Sequence, residues 1–135
     1  MNGIVTKTTG IYYTVKTDAK DIVQCRLKGK LRIANIKSTN PVVVGDKVEV
    51  KQESKSWIIE KIQKRKNYLL RRSVNLSKEH HIIASNIDLA ILIITLESPV
   101  TSTSFIDRFL VAANAYGIDV VLLFNKIDLL KGDML

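Results

Sequence analysis

Residues 2–65 run in short apolar–polar stretches of strand length and show no helical period. Ile4-Val5-Thr6 leads to a Thr9-Gly10 turn, Ile11 to Val15 follows, and Asp18-Ala19-Lys20-Asp21 breaks the chain. Ile22 to Leu27 is the third run. Val42-Val43-Val44-Gly45-Asp46 leads into Lys47-Val48-Glu49-Val50, which alternates cleanly, and Trp57 to Ile62 is the fifth. Five short strands in about 65 residues predict a small closed barrel. Closure is favoured because a two- or three-stranded sheet cannot bury its apolar face alone and leaves open edges. An OB-fold is the expected barrel, with an SH3-like barrel as the structural alternative. Strand alternation puts Tyr12 and Tyr13 on opposite faces, one in the core and one outside. Trp57, at the opening of its strand, reads as packing.

The pattern changes after Lys66-Asn67-Tyr68-Leu69-Leu70-Arg71-Arg72-Ser73, which reads as a connection. Asp88-Leu89-Ala90-Ile91-Leu92-Ile93-Ile94 is nearly all apolar, as expected of a strand covered on both faces of a parallel sheet. After the loop Glu97-Ser98-Pro99-Val100-Thr101-Ser102, the residues Ile106, Phe109, Leu110 and Ala113 fall on one helical face. Ser102 or Thr103 can cap that helix, Asp107 lies in its early turns, and Gly117 offers a left-handed stop. Ile118 to Phe124 is then a second buried strand. Strand, helix, strand predicts a βαβ unit with parallel strands, whose ligands bind beyond the carboxyl ends of the strands. The expected division is a barrel at 1–68, a linker at 69–75 and an incomplete α/β portion at 76–135.

Charge supports two modules. The 135 residues carry 21 Lys or Arg and 13 Asp or Glu, a net charge of +8. Most of the cations lie before residue 76, so a basic half precedes a mildly acidic one. The basic half suits a polyanion such as nucleic acid. Arg26, Lys28, Lys30 and Arg32, continued by Lys37, would gather at the barrel rim around the Gly29 turn and track a phosphate backbone. Lys61, Lys64, Arg65, Lys66, Arg71 and Arg72 form a second basic segment. A single cysteine, Cys25, excludes an intramolecular disulfide and reads as structural. The apolar run Leu89 to Leu96 is too short to span a bilayer, and the N-terminus has no secretory segment, so no membrane partner and a cytoplasmic location are expected.

The candidate chemistry sits where the second strand ends, at Asn125-Lys126-Ile127-Asp128. A short carboxylate at Asp128 can accept from the N1–H and the exocyclic amino group of guanine, a pairing adenine cannot offer. A buried polar group left unpaired costs about 1–3 kcal/mol, which gives the discrimination. Asn125 can donate to guanine N7 and brace neighbouring loops. Lys126 can lay its aliphatic stem along the ring while its ammonium stays in water. Ile127 is expected to turn inward. No G-x-x-x-x-G-K-[ST] stretch occurs in the chain, so no phosphate-binding loop accompanies this base reader. No catalytic residue is assigned. The adjacent His80 and His81 lack further ligands, and no metal ligand is assigned either. On these residues alone, a nucleic-acid-binding OB module with a structural α/β appendage remains an alternative to a GTPase. A GTPase of ordinary motif order would need a phosphate-binding loop upstream of residue 86, which is not there.

Taken in order, N-G-I-V with T-G-I-Y-Y-T-V, C-R-L-K-G-K-L-R, P-V-V-V-G-D-K-V, I-Q-K-R-K-N-Y-L-L-R-R-S, A-S-N-I-D-L-A-I-L-I-I, F-I-D-R-F-L-V-A-A and L-L-F-N-K-I-D-L-L span the whole chain. Together they resemble the ribosome small subunit-dependent GTPase A family, circularly permuted GTPases, and specifically its N-terminal part. The resemblance implies an all-β OB-fold barrel followed by the beginning of a P-loop-type α/β GTPase domain whose base-reading motif comes first. It implies that Asn125, Lys126 and Asp128 read guanine, and that the Lys28–Arg32 segment meets ribosomal RNA. It also implies a partner in the small ribosomal subunit, GTP/GDP with Mg2+, and a zinc-binding domain further along. The phosphate-binding, switch, catalytic and zinc residues would follow Leu135, so GTP hydrolysis by these 135 residues alone is not expected. In the full chain, catalysis would rest on positioning and charge stabilisation of in-line water attack.

Overall fold

The computed structural model describes residues 1–29, 31, 41–72 and 80–130. Two compact units divide the chain, Met1–Ile87 and Asp88–Leu135.

The first unit begins with β1 (Asn2–Thr8), β2 (Tyr13–Thr17), β3 (Ile22–Leu27), β4 (Lys47–Glu53) and β5 (Ser56–Ile62). They close in the order β1-β2-β3-β5-β4, with β1 returning to pair β4. All pairs are antiparallel except β3 with β5, which run parallel with Cys25, Arg26 and Leu27 opposite Trp57, Ile58 and Ile59. This is the OB-type barrel that the alternating pattern predicts. Its core is Val5, Tyr13, Val15, Cys25, Val42, Val48, Val50 and Ile59, with Trp57, Leu27 and Ile62 packed against it. Alternation places Tyr13 inside and leaves Tyr12 39% exposed. Burial raises the Cys25 thiol to a pKa of about 11. The amino terminus closes the seam: the Met1 ammonium donates to the Val50 carbonyl at 3.0 Å, and the Val50 amide donates to the Met1 carbonyl at 2.7 Å.

The expected linker is in part a strand. Residues Tyr68–Arg72 form β6, which pairs antiparallel with β7 (His80–Ser85), with Tyr68 opposite Ser85. The hairpin lies within the first compact unit, which ends at Ile87. The hairpin is fastened to the barrel by a buried polar node. Asp46 is fully buried, and its two carboxylate oxygens accept from Arg65 Nε and Nη2, both at 2.7 Å. They also accept from the Val43 amide at 2.9 Å and the Ser85 hydroxyl at 2.6 Å. Arg65 further donates to the Pro41 carbonyl at 3.2 Å. The bond to Asp46 raises its pKa against the opposing effect of burial. Backbone contacts follow the same line: the Ser85 amide donates to the Val44 carbonyl at 2.9 Å, and the Asn86 side chain donates to the Gly45 carbonyl at 2.8 Å. Asn67 brackets Ile87, donating to its carbonyl at 2.8 Å and accepting from its amide at 2.7 Å. Gly45 is required here. Its φ is +91°, and a Cβ would lie 2.0 Å from the Ser85 carbonyl oxygen.

The second unit contains β8 (Leu89–Thr95), α1 (Thr103–Ala115) and β9 (Asp119–Asn125). β8 and β9 pair in parallel from Leu89–Asp119 to Thr95–Asn125, the expected βαβ arrangement. The Ser102 hydroxyl caps α1 by accepting from the Phe105 amide at 3.3 Å. Gly117, at φ +64°, ends it. Its amide donates to the Asn114 carbonyl at 3.0 Å and the Ile118 amide to the Ala113 carbonyl at 2.9 Å, satisfying carbonyls the helix leaves open. Ala90, Leu92, Ile94, Ala113 and Ile118 are buried. The outer row Leu89, Ile91 and Ile93 is exposed, as are Val121 to Phe124. The expected cover on both faces is thus absent among the described residues, because they supply one helix to this sheet.

Candidate functional site

Parallel register brings the ends of β8 and β9 side by side, so the loops after Thr95 and Asn125 emerge together at the carboxyl end of the sheet. The first loop folds back on its strand. The Thr95 amide donates to Thr101 Oγ1 at 3.0 Å, the Thr101 amide donates to the Thr95 carbonyl at 2.8 Å, and the Thr95 hydroxyl donates to the Pro99 carbonyl. Asn125, Lys126 and Asp128 all lie at this end and are exposed. Asn125 Oδ1 accepts from the Lys126 amide at 2.9 Å, which turns the chain at once after the strand. Lys126 takes a left-handed conformation, φ 59° and ψ 34°. Its ammonium donates to the Ser98 carbonyl at 2.6 Å, tying the two loops together. Asp128 sits in a single 3-10 turn, Ile127–Leu129, and its carboxylate has no partner among the described residues. Ile127, expected to turn inward, is 52% exposed because the described residues place no layer beneath this turn.

The basic rim is a different kind of surface. Of its expected residues, Lys30, Arg32 and Lys37 lie outside the described residues. Arg26 and Lys28 follow one another on the outward face of β3 and its continuation. Lys28 is held by Glu60 at 3.0 Å, a contact that raises the lysine pKa and lowers that of the glutamate. Lys61 pairs with Glu49 at 3.3 Å. Arg65, which the sequence places in the second basic segment, is a half-buried structural cation whose charge is taken up by Asp46. The counterpart, Asp46, reads in the sequence only as a turn residue. A carboxylate directly after a glycine and an apolar run is the one signal that could have marked it.

A closed OB-type barrel ahead of a parallel βαβ unit ending in N-K-x-D defines a class: a guanine-nucleotide-type domain in circularly permuted order, behind a small β-barrel. The comparisons narrow the class. Residues 62–134 match the RsgA GTPase family and residues 2–58 match the RsgA N-terminal domain. The chain belongs to the RsgA GTPase family. A small ribosomal subunit biogenesis GTPase RsgA of Flavobacterium johnsoniae is 56% identical over 135 residues, covering 97% of this chain and 42% of the relative. The protein of the same name from Bacteroides fragilis is 51% identical over 137 residues, covering 100% and 44%. Among solved structures, YjeQ from Thermotoga maritima superposes with a TM-score of 0.70 at 36% identity over 98% of this chain and 43% of that one. YloQ, described as a circularly permuted GTPase, gives 0.65 at 28% identity over 97% of this chain and 42% of that one. The chain therefore spans well under half the length of the relatives it matches.

Proposed function

We propose that these residues are the RNA-meeting barrel and the guanine-reading part of a cytoplasmic GTPase that binds the small ribosomal subunit and assists its late maturation. In this reading the barrel, through Arg26, Lys28, Lys30, Arg32 and Lys37, meets ribosomal RNA. Asn125, Lys126 and Asp128 read the base of GTP or GDP. The observation that carries the proposal is the Asp128 carboxylate, exposed and without a partner among the described residues, at the carboxyl end of a parallel sheet. An unpaired carboxylate can accept the two guanine donors without first breaking another bond. Lys126, fixed by Ser98, holds the turn in place beside it. Among the described residues no group of three His, Cys, Asp or Glu side chains is placed to hold a metal ion. No step is drawn through Mg2+ or Zn2+.

The test is base preference. In the full-length protein, Asp128→Asn replaces an acceptor by a donor, and relative affinity is expected to move from GDP toward XDP by at least about tenfold. An unchanged ratio of GDP to XDP affinity would reject the assignment of Asp128.

A further inference from the structure

We propose that Tyr12 and Arg26 form a stacking platform for an unpaired base of an RNA strand, with the guanidinium taking the adjoining phosphate. The proposal rests on the reading of the barrel as an RNA-binding module and names the site within it. Register makes the pair neighbours: Tyr13 lies opposite Cys25, so Tyr12 and Arg26 meet on the outward face of β2 and β3. The Arg26 carbon Cζ lies 4.9 Å from the centre of the Tyr12 ring, and Arg26 Nη2 donates to the Tyr12 hydroxyl. The row continues across the barrel through Ile58 to Lys51, which is exposed.

Three features make this pair a ligand site rather than a surface contact. Its charge meets no carboxylate among the described residues. Lys28 and Lys61 on the same barrel are paired with Glu60 and Glu49, whereas the partner of Arg26 is a neutral phenol. A guanidinium has five N–H donors, so most remain for a phosphate. The turn that carries the ring is also preset. The Tyr12 carbonyl accepts from the Thr9 amide at 3.0 Å and from the Thr9 hydroxyl at 3.2 Å. The backbone part of the ordering cost of presenting the ring is therefore already met in the free protein. Finally, Tyr12 is 39% exposed, and Gly10 at the tip of the same turn has nothing within 4 Å of a would-be Cβ, so a planar base has room to approach. Stacking on an aromatic face tolerates any base, and a cation beside it adds phosphate attraction.

The experiment measures binding of the 135-residue chain to a labelled single-stranded oligoribonucleotide, to the same strand with abasic positions, and to its fully paired duplex. Tyr12→Ala is expected to weaken single-strand binding by about fivefold to about a hundredfold, with the salt slope unchanged. Duplex binding should not move, and the abasic strand should bind wild type about as weakly as the intact strand binds the variant. Tyr12→Phe keeps the ring and should bind like wild type. Arg26→Ala should weaken single strand and duplex alike and lower the salt slope by about one. Wild-type binding of single strand that Tyr12→Ala leaves intact refutes the platform and leaves the barrel's RNA reading standing, as does an equal loss on the duplex. Absence of salt-dependent binding by the wild type to any of the three probes overturns both.

Discussion

Replacing Asp46 by Asn tests whether the polar node fastens the hairpin to the barrel. The two side chains have nearly the same volume, so the core around them is not opened. What changes is the bonding. Asp46 accepts four hydrogen bonds, from Val43, twice from Arg65, and from Ser85. An asparagine turns one accepting oxygen into an NH2 group that faces donors, and leaves Arg65 without a counter-charge. Removing one partner of a buried ion pair costs about 3–5 kcal/mol. Arg65 keeps 21% of its side chain exposed while Asp46 keeps none, so water can reach the orphaned guanidinium and the low end, about 3 kcal/mol, is expected. Trp57, the only tryptophan and part of the barrel packing, reports unfolding by its fluorescence. With a urea slope of about 1–3 kcal/mol/M, the midpoint should fall by about 1–3 M. The double variant Asp46→Asn with Arg65→Met should recover part of the loss, because no charge is left unpaired. The amide of Ser85, bonded to Val44, should lose hydrogen-exchange protection in the single variant. A loss below about 1 kcal/mol, the size of an exposed pair, would mean that the node does not fasten the hairpin.

Gly45→Ala should destabilise the same joint by more than about 2 kcal/mol, since it adds a clash with Ser85 to the cost of positive φ. Gly10→Ala carries the positive φ without the clash and should cost about 1 kcal/mol; equal losses in urea titrations would show that the approach to Ser85 is not what Gly45 serves. Cys25 should react with a thiol reagent near pH 8 at least about a hundredfold more slowly than free cysteine, because burial holds it protonated. Since its pKa is raised on folding, the stability tied to it is intact below pH 9, where the unfolded thiol begins to ionise, and is lost toward pH 11. Denaturation midpoints that stay flat across that window would contradict this.

Local features were the legible ones. Lys47-Val48-Glu49-Val50 shows a period of two within a few residues, and the cap at Ser102 and the stop at Gly117 are each set by a single residue. The N-K-x-D turn is visible because it follows an apolar strand directly. Features made by distant pairing were not. Tyr68-Leu69-Leu70-Arg71-Arg72 looks like a basic connection until His80–Ser85 pairs with it. Arg65 looks like a rim cation until Asp46, 19 residues earlier, takes its charge. The all-apolar β8 conceals which face is covered, because alternation carries no signal when both faces are apolar. Its covered residues, Ala90, Leu92 and Ile94, are identified only by their burial in the fold.

The closing seam of the barrel also sets an order of events during synthesis. β1 is made first, yet it pairs with β4, and β4 in turn needs β5 to join β3. Roughly 50 residues separate the end of β1 from the end of β5, which is about 3–10 s of translation. For that interval the nascent chain holds a strand whose outer edge has no partner. Polar Asn2, Thr6, Lys7 and Thr8 along β1 keep that waiting edge soluble until the barrel can shut.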